Sequence, residues 1–468
     1  MKNDLFVEKF SVYNPYTEKL ESRVPICSVK NLKEIIKNSY KQSCNLSTSQ
    51  KIELFNKLSE KIFSDKQKIA DLMSSETGLC LQNTLHEVDR AINCIKAGVF
   101  ELEKKSNRYT SKDFDFEHSS SKHLEIFYAP CDLIAAITPY NHPLNMVIHK
   151  VVPAIISGTP IIIKPSERAP SAAFYLCEIL VNLGLNKNFF NVVCSSNPQE
   201  LVEELATSNF IDVVCFTGSV RVGKLIGKLI AGSDRLKKYI PELGGNSPVY
   251  IHSDADISTA VKVCLGGFEN SGQRCTAVRR IILHEEIYDN FINAFVSSVE
   301  KIKFGDPMKE STEMGTVISE QHAFNIQKRI NEAVKLGGRI LYGNKRDGAL
   351  LSPTVMDNVP LEAELVKEEN FGPVITISKV CNVDDAIEIT NADKFGLAAS
   401  IITKSKIYAE HYFKNIDVGQ FSWNGRPGFR FESAPFGGFK DSGNGQKEGI
   451  VMLTESFSKI KTFYKHTI

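Results

Sequence analysis

The chain has 468 residues, of which 42% are hydrophobic and 24% charged; this composition excludes a disordered chain and predicts a globular protein of two or three domains. The 56 lysines and arginines nearly balance the 55 aspartates and glutamates. Because neither sign of charge dominates, we expect no nucleic acid or membrane surface as partner, and a small-molecule ligand instead.

The first residues, MKNDLFVEKF, lack the apolar run of a secretory signal, and no stretch of the sequence is apolar over the length that spans a bilayer. The 11 cysteines occur without a CxxC pair and without the Cys/His spacing of a metal site. This cysteine usage favours a reducing, cytoplasmic location, and we expect no bound metal.

The predicted elements begin with a largely helical region, including helices at 32–40 and 52–73. A polar, weakly patterned segment at 106–123 is interpreted as a connection. After residue 130, short β-branched runs alternate with helical patterns, which indicates βαβ units and a mostly parallel sheet covered by helices on both faces. The first set comprises strands at 133–137, 160–164 and 213–216 with helices at 144–156, 171–183 and 218–230.

A second set of the same kind follows, with further elements between 373 and 423. It begins with a strand at 248–251, a helix from about 256, a strand at 279–284 and a helix at 286–303. The fold class is therefore predicted to be α/β, with two α/β domains.

Cys275 lies in the segment Asn-Ser-Gly-Gln-Arg-Cys-Thr, between a helical pattern and a strand. Gly272 permits a tight backbone turn that can present a thiol at the mouth of a cleft. A single cysteine is more often a buried core residue. The polar neighbours Gln273 and Arg274 favour a reactive thiol, because a nearby cation stabilises the thiolate.

Two other segments place polar groups at the ends of predicted strands. Glu242 opens the segment Glu-Leu-Gly-Gly-Asn, where its carboxylate can serve as a general base or cap a loop. Asn141 lies in Thr-Pro-Tyr-Asn-His-Pro after the strand at 133–137. Its amide can donate to a developing oxyanion or belong to an ordinary turn.

A nucleotide site is indicated by the segment Phe-Thr-Gly-Ser-Val-Arg-Val-Gly at 216–223, which leads from a strand into a helix, although no G-x-G-x-x-G is present. Gly218 opens the turn, so N–H groups at the helix start would face a pyrophosphate. Lys164 and Glu167 close the strand at 160–164. They can hold ribose hydroxyls or form a surface ion pair.

Together and in this order, these segments resemble the NAD(P)-dependent aldehyde dehydrogenase superfamily over essentially the whole chain. Two more segments share the resemblance, Glu-Glu-Asn-Phe-Gly-Pro at 368–373 and Pro-Phe-Gly-Gly-Phe-Lys-Asp-Ser-Gly at 435–443. The resemblance implies a Rossmann-like cofactor domain, an α/β catalytic domain and a small β oligomerisation element in a homodimer or homotetramer. We expect these to be 1–108 with 130–244, 245–435, and 109–129 with the C-terminal segment 436–468.

The resemblance also implies roles for individual residues. Cys275 would be the nucleophile and Glu242 the general base, and Asn141 would form the oxyanion hole with the Cys275 N–H. The cofactor would be held by Lys164 and Glu167 at the adenosine ribose, by Gly218, Ser219 and Gly223 at the pyrophosphate, by Glu369 at the nicotinamide ribose and by Phe371 at the nicotinamide. We expect NAD as cofactor, with NADP possible, because Glu167 would repel a 2′-phosphate.

The segments 140–145 and 272–280 are most similar to the phosphonoacetaldehyde dehydrogenase branch. This likeness predicts a short anionic aldehyde, first of all phosphonoacetaldehyde, bound by Arg274, His142 and Arg90. Uncharged lactaldehyde is the main alternative, and sulfoacetaldehyde, phosphonoformaldehyde, succinate semialdehyde and glyceraldehyde 3-phosphate are others. A thiol acyl transferase would use the same cysteine without a nucleotide, and a non-catalytic binding protein is disfavoured because neither thiol nor carboxylate is missing.

Overall fold

The computed structural model describes residues 8–104 and 122–466. Its helices are α1 Val29–Ser39, α2 Thr48–Ser64, α3 Lys66–Thr77, α4 Leu81–Glu103, α5 Asn145–Ser157, α6 Ser171–Asn182, α7 Pro198–Thr207, α8 Val220–Ala231, α9 Ile257–Leu265, α10 Tyr288–Val299, α11 Glu320–Lys335, α12 Glu364–Lys367, α13 Val383–Asn391, α14 Lys406–Asn415 and α15 Ile450–Ser456.

Its strands are β1 Lys9–Tyr13, β2 Leu20–Pro25, β3 Lys122–Pro130, β4 Ile134–Ile137, β5 Ile161–Lys164, β6 Phe190–Val192, β7 Val213–Thr217, β8 Lys238–Glu242, β9 Pro248–Ile251, β10 Arg280–His284, β11 Arg339–Tyr342, β12 Arg346–Asp347, β13 Leu350–Leu351, β14 Thr354–Asp357, β15 Val374–Val380, β16 Phe395–Gly396, β17 Ala398–Ile402, β18 Gln420–Trp423, β19 Phe439–Lys440 and β20 Ser458–His466.

The first sheet has five parallel strands in the order β6-β5-β4-β7-β8. Its central strands are continuous apolar runs, as expected for a parallel sheet buried on both faces. Ile134 and Ala136 of β4 pack on the side of α4, α5 and α6. Ala135 and Ile137 pack on the opposite side with α1, α7 and α8. The predicted βαβ alternation with helices on both faces is therefore confirmed here.

The second sheet has seven strands in the order β11-β14-β15-β10-β9-β17-β18. Its pairs are parallel except at the edge, where β11 runs antiparallel to β14. Helices α9 and α10 cover one face, and α13 and α14 cover the other. The predicted second α/β set is therefore present, and the α/β fold class is confirmed.

Three local features differ from the sequence-based expectation. The region predicted to be largely helical begins with the hairpin β1–β2, whose Val12 and Val24 pack against Cys194, a contact that no local pattern reveals. The predicted helix at 52–73 is two helices separated at Asp65, which is the N-cap of α3. In place of the predicted helix at 286–303, the shorter helix α10 runs from Tyr288 to Val299.

The C-terminal strand β20 pairs with β3 in an antiparallel two-stranded ribbon. Most of the predicted connection at 106–123, and residues 109–121 of the predicted oligomerisation element, lie outside the described residues. Helix α15 does not join the ribbon. Its Ile450 and Leu453, with Phe457, belong to the core beneath the first sheet, so the segment before β20 runs back across that sheet.

Loops from the two sheets come together at one place. The carboxyl ends of β4, β7 and β8 are followed by Asn141, Gly218 and Leu243, and open-sheet α/β proteins bind ligands at such strand ends. The loops that precede β9, β10 and β15 approach from the second sheet. A cavity lies where these two groups of loops face each other.

Candidate active site

The cavity between the two sheets has a volume of about 320 Å³ and gathers most of the predicted site residues. Those that line it are Arg90, Asn141, His142, Gly218, Ser219, Glu242, Arg274, Cys275, Glu369 and Phe371. Lys164, Glu167 and Gly223 are not among its lining residues. Residues that lie up to 281 positions apart in the chain therefore converge on one cavity.

The loop 270–276, called here the thiol loop, contains the tight turn predicted at Gly272. Asn270, Ser271 and Gly272 have φ values of 51°, 53° and 70°, a left-handed stretch that only short polar residues and glycine adopt readily. A Cβ on Gly272 would lie 2.2 Å from the carbonyl oxygen of Gly372, so the close approach of these two loops requires glycine there. The turn leaves Cys275 half-buried on the cavity wall.

The electrostatic environment of Cys275 differs from the expectation that a neighbouring cation would favour the thiolate. Burial, together with the charges of the Glu242 and Glu369 carboxyl groups, raises the pKa of the Cys275 thiol to about 12. Arg430 and Arg274 oppose this rise without cancelling it. The thiol is therefore largely protonated at neutral pH in the ligand-free protein.

Glu242 is the last residue of β8 and is only 2% exposed. Neither of its carboxyl oxygens has a hydrogen-bond partner among the described residues, although the side chain faces the cavity. Burial raises the pKa of Glu242, and the nearby charge of Glu448 raises it further. A buried carboxyl group with free oxygens and a raised pKa has the properties of a general base or acid.

Glu448 and Lys150 form a buried ion pair beside Glu242 that sequence reasoning missed. Burial raises the pKa of Glu448, but the charge and hydrogen bond of Lys150 outweigh it and leave that pKa lowered. Glu448 therefore remains ionised next to Glu242. Its sequence signal was weak, because an isolated glutamate after the Lys-Asp-Ser-Gly segment resembles any surface residue.

Asn141 is held against the thiol loop. Its side-chain amide donates to the carbonyl oxygen of Gln273 at 2.8 Å, and its backbone oxygen accepts from the side chain of Asn270 at 3.3 Å. An asparagine amide has two N–H donors, so one is left for a ligand in the cavity. The arrangement fits the predicted oxyanion donor beside the Cys275 sulfur.

The cofactor residues are placed in two groups. Ser219 is the N-cap of α8 and Gly218 precedes it on the cavity wall, so the helix start faces the cavity. The Glu369 carboxylate accepts a hydrogen bond from the Gly245 N–H at 3.0 Å. The backbone of Phe371 has a positive φ of 48°, and its ring contacts the Tyr140 ring edge to face. These groups fit a nucleotide that enters along the first sheet.

The other three predicted cofactor residues lie outside this cavity. Lys164 and Glu167 form an ion pair with each other, but Lys164 is buried, so the pair is not the surface ion pair of the alternative interpretation. Gly223 lies one turn into α8, where a Cβ would lie 2.4 Å from Leu243. Its observed contact is helix-to-sheet packing.

Each of the three residues predicted to bind the substrate has an internal partner. Arg90 donates to both carboxyl oxygens of Glu432, at 2.9 and 3.3 Å, and Arg274 pairs with Glu269 at 3.0 Å. His142 contacts Glu87 at 3.3 Å. Burial lowers the pKa of His142 and Glu87 opposes the effect, so His142 is mostly neutral at neutral pH.

Arg430 lines the same cavity and was missed by sequence reasoning. Its guanidinium lies over the ring of Phe436, 4.0 Å from the centroid, and its buried Nη1 has no hydrogen-bond partner among the described residues. A second cavity of about 650 Å³ adjoins the first and shares Arg90, Arg274 and Arg430 with it. The position five residues before the Pro-Phe-Gly-Gly segment was the available signal.

Two kinds of site are not found in the part of the chain that the structure describes. No group of three or more His, Cys, Asp or Glu side chains is arranged to hold a metal ion. No helix there combines the length and the apolarity needed to cross a bilayer.

Comparison with known proteins identifies the family. The sequence profile of the aldehyde dehydrogenase family matches residues 2–463. The chain is 33% identical to a lactaldehyde dehydrogenase of Methanococcus aeolicus over 97% of both chains. It is 32% identical to a 3-sulfolactaldehyde dehydrogenase of Priestia megaterium, covering 97% of this chain and 94% of the relative.

The fold comparison agrees. The structure superposes with a TM-score of 0.92 on a glyceraldehyde-3-phosphate dehydrogenase of Methanocaldococcus jannaschii complexed with NADP, at 30% identity, covering 98% of this chain and 99% of that one. The predicted α/β fold and the predicted class of enzyme are thereby confirmed. The chain belongs to the aldehyde dehydrogenase family and is an NAD(P)-dependent oxidoreductase that acts on aldehydes.

Proposed function

We propose that the protein oxidises a short 2-hydroxyaldehyde, with the anionic 3-sulfolactaldehyde favoured over lactaldehyde, to the corresponding carboxylic acid. Both aldehydes occur in the names of its relatives, which resemble this chain over nearly its full length. These relatives favour the alternative reached from the sequence over phosphonoacetaldehyde. Lactaldehyde and its 3-sulfo derivative share the aldehyde carbon and the neighbouring hydroxyl, and differ in the anionic sulfonate group on the third carbon.

The observation that carries the anionic choice is the guanidinium of Arg430, which has no carboxylate partner among the described residues. Arg90 and Arg274 are each neutralised by a carboxylate, whereas Arg430 has an aromatic ring beneath it and a free N–H donor. A planar guanidinium with free donors binds sulfonate or carboxylate oxygens strongly in an enclosed site. A neutral lactaldehyde would leave this buried donor unsatisfied, which costs binding free energy.

The proposed cycle assigns the inner residues their predicted roles. The Cys275 sulfur adds to the aldehyde carbon, and Asn141 with the Cys275 N–H holds the resulting oxyanion. A bound NAD(P)+ would supply the acceptor for the hydride of that carbon, whose oxidation would leave a thioester on Cys275. Glu242 takes a proton from water, and the hydroxide breaks the C–S bond, releasing the acid and the thiol. Because Glu242 faces the cavity, hydrolysis is favoured over transfer to another thiol.

The test is a panel of four aldehydes, namely 3-sulfolactaldehyde, lactaldehyde, phosphonoacetaldehyde and propanal, each assayed with NAD and NADP. We expect kcat/KM to be highest for 3-sulfolactaldehyde and lowest for propanal. A preference for lactaldehyde would remove the role of Arg430 but keep the 2-hydroxyaldehyde. A preference for phosphonoacetaldehyde would overturn the 2-hydroxyaldehyde itself.

We further propose that the protein is a cytoplasmic homo-oligomer, a dimer or tetramer, in which the ribbon β3–β20 contributes to the contact. The ribbon exposes the apolar side chains of Phe127, Ile460, Phe463 and Tyr464, each about half exposed. Such exposed apolar strands in proteins are commonly covered by a partner. Light scattering after size exclusion tests this, and a monomeric mass would contradict it.

A further inference from the structure

Arg279 is the largest side chain in the described part of the chain that is fully buried; it is 2% exposed. It follows the thiol loop at the entry to β10, and its side chain returns beneath that loop. Nη2 donates to the carbonyl oxygens of Gly272 and Arg274, at 3.0 and 2.9 Å. These two carbonyls lie on either side of Gln273, just ahead of the Cys275 sulfur, so one guanidinium braces the turn that presents the thiol.

The same guanidinium also reaches the loop 369–373, called here the ribose loop. Nη1 donates to the carbonyl oxygen of Gly372 at 3.5 Å, and the guanidinium carbon lies 5.6 Å from the centroid of the Phe371 ring. The two loops touch at Gly272 and Gly372. Arg279 therefore contacts both the loop that carries the nucleophile and the loop that carries Glu369 and Phe371.

The positive charge of Arg279 is buried without a paired carboxylate among the described residues. Within residues 8–104 and 122–466 no carboxylate forms an ion pair with it, and its Nε has no hydrogen-bond partner. The opposite charges that act on it are those of Glu369 and, when they are ionised, of Cys275 and Tyr140. Because an arginine keeps its proton in proteins, this cation is permanent, and a buried cation is stabilised by any anion that forms near it.

We propose that Arg279 is a positioning residue that fixes the thiol loop against the ribose loop and supplies a permanent positive charge to the Cys275 thiolate. The proposal rests on the proposed role of Cys275 as nucleophile. Through its hydrogen bonds to both loops, the guanidinium fixes the position of the Cys275 sulfur relative to the place where the nicotinamide would lie. Its charge favours the reactive thiolate in a site whose two carboxyl groups oppose that form.

Two substitutions separate the effect of the hydrogen bonds that the guanidinium donates from the effect of its positive charge. Arg279→Lys keeps a positive charge but cannot reach both carbonyls in one plane. Arg279→Met keeps the length and loses both charge and donors. The matched control is Arg280→Lys: Arg280 is the next residue, is also buried, and binds Asp393 and the Asn246 carbonyl away from the thiol loop.

The first readout is the rate of iodoacetamide labelling of Cys275 as a function of pH, measured by peptide mass spectrometry in the absence of substrate and cofactor. The exposed Cys381 serves as an internal reference. We expect Arg279→Met to label Cys275 about tenfold or more slowly at pH 8, because the thiolate is the reacting form. Arg279→Lys and Arg280→Lys should label it at a rate close to wild type.

The second readout is the burst of NADH in a single turnover. We expect Arg279→Lys to lower the burst rate by about 10- to 100-fold, since displacing a reacting group by about an ångström has an effect of this size. Arg280→Lys should lower the melting temperature without slowing the burst.

The proposal is overturned if Arg279→Lys shows a wild-type burst, or if a folded Arg279→Met shows a wild-type labelling profile. If Arg279→Met does not fold, the burst of Arg279→Lys decides. Labelling needs no turnover, so a wrong substrate leaves this test unaffected. A normal burst in Cys275→Ala would instead refute the proposed nucleophile.

Discussion

The inner wall of the cavity and its mouth are built on different principles. The inner wall consists of Cys275, Glu242 and Asn141, which come from short local segments; within the described part of the chain, neither Cys275 nor Glu242 has an ion-pair partner. The mouth, which is the part of the wall shared with the second cavity, carries arginines; Arg90 binds Glu432, 342 residues away, and Arg274 binds Glu269, five residues away. The residues proposed to carry out the chemistry therefore lie in local sequence motifs. Selectivity for the substrate depends instead on which arginine has no carboxylate partner, among the described residues, after folding.

The two regions also differ in charge. The carboxyl groups of the inner wall raise the pKa of the Cys275 thiol, so that region disfavours an anion. At the mouth, Arg430 has no carboxylate partner in the described ranges 8–104 and 122–466, so that region favours an anion. An anionic aldehyde would therefore be drawn by its remote group to the mouth while its uncharged carbonyl points inward, an orientation that places the aldehyde carbon at the sulfur.

The largest effect is expected at the inner wall. Cys275→Ala should abolish aldehyde oxidation while leaving nucleotide binding intact, because no other group can form the covalent intermediate. Turnover of the aldehyde panel and binding of NADH by fluorescence measure the two properties. Cys381→Ala is the matched control, since Cys381 is exposed and distant from the cavity lining. Near wild-type turnover by Cys275→Ala would refute the assignment of Cys275 as the nucleophile.

Glu242→Gln should slow release of the acid by roughly 10²- to 10⁴-fold if loss of the general base is the main effect. Hydride transfer precedes this step, so a burst of NADH followed by a very slow steady state is expected in stopped flow. If the burst itself disappeared while Cys275 kept its reactivity toward iodoacetamide, Glu242 would act earlier in the cycle than proposed.

At the mouth, Arg430→Leu should raise KM for 3-sulfolactaldehyde by about 10- to 100-fold, as expected for loss of a charge-assisted pair in an enclosed site. The KM for lactaldehyde should change far less, which makes the neutral aldehyde the control. Arg274→Leu should have a smaller effect than Arg430→Leu, because Glu269 already neutralises Arg274. Equal losses on both aldehydes would show that Arg430 only supports the structure.

The same division separates what the sequence could predict from what it could not. The βαβ alternation, the turn at Gly272 and the cavity positions of Cys275, Glu242 and Asn141 followed from local patterns and from the resemblance. The sequence could not predict that Arg430 has no carboxylate partner among the described residues, because this depends on Glu432 and Glu269 binding other arginines. The hairpin β1–β2 was missed for a related reason, since its burial is provided by Cys194, far along the chain.

A smaller effect is expected on the pH dependence of Cys275. Burial raises the pKa of Glu242, so its carboxyl group is neutral at low pH and becomes an anion as the pH rises through that raised value. The anion then raises the pKa of the Cys275 thiol. Glu242→Gln should therefore speed iodoacetamide labelling of Cys275 a few-fold at alkaline pH, by about the effect of one nearby charge, and have no effect at low pH. An unchanged profile at every pH would show that Glu242 and Cys275 do not interact.

The smallest effect concerns the choice of cofactor, far from both the inner wall and the mouth. Glu167 would repel the 2′-phosphate of NADP, but its ion pair with Lys164 offsets much of that charge. We therefore expect NAD to be preferred by only about tenfold in kcat/KM, and Glu167→Gln to reduce the preference by about threefold, as for a partly exposed charge. Glu178→Gln, on the exposed side of α6, is the control and should leave the ratio unchanged. A clear preference of the wild-type protein for NADP, the cofactor present in the Methanocaldococcus jannaschii structure, would mean that Glu167 lies away from the ribose and that Lys164 is free to bind the phosphate.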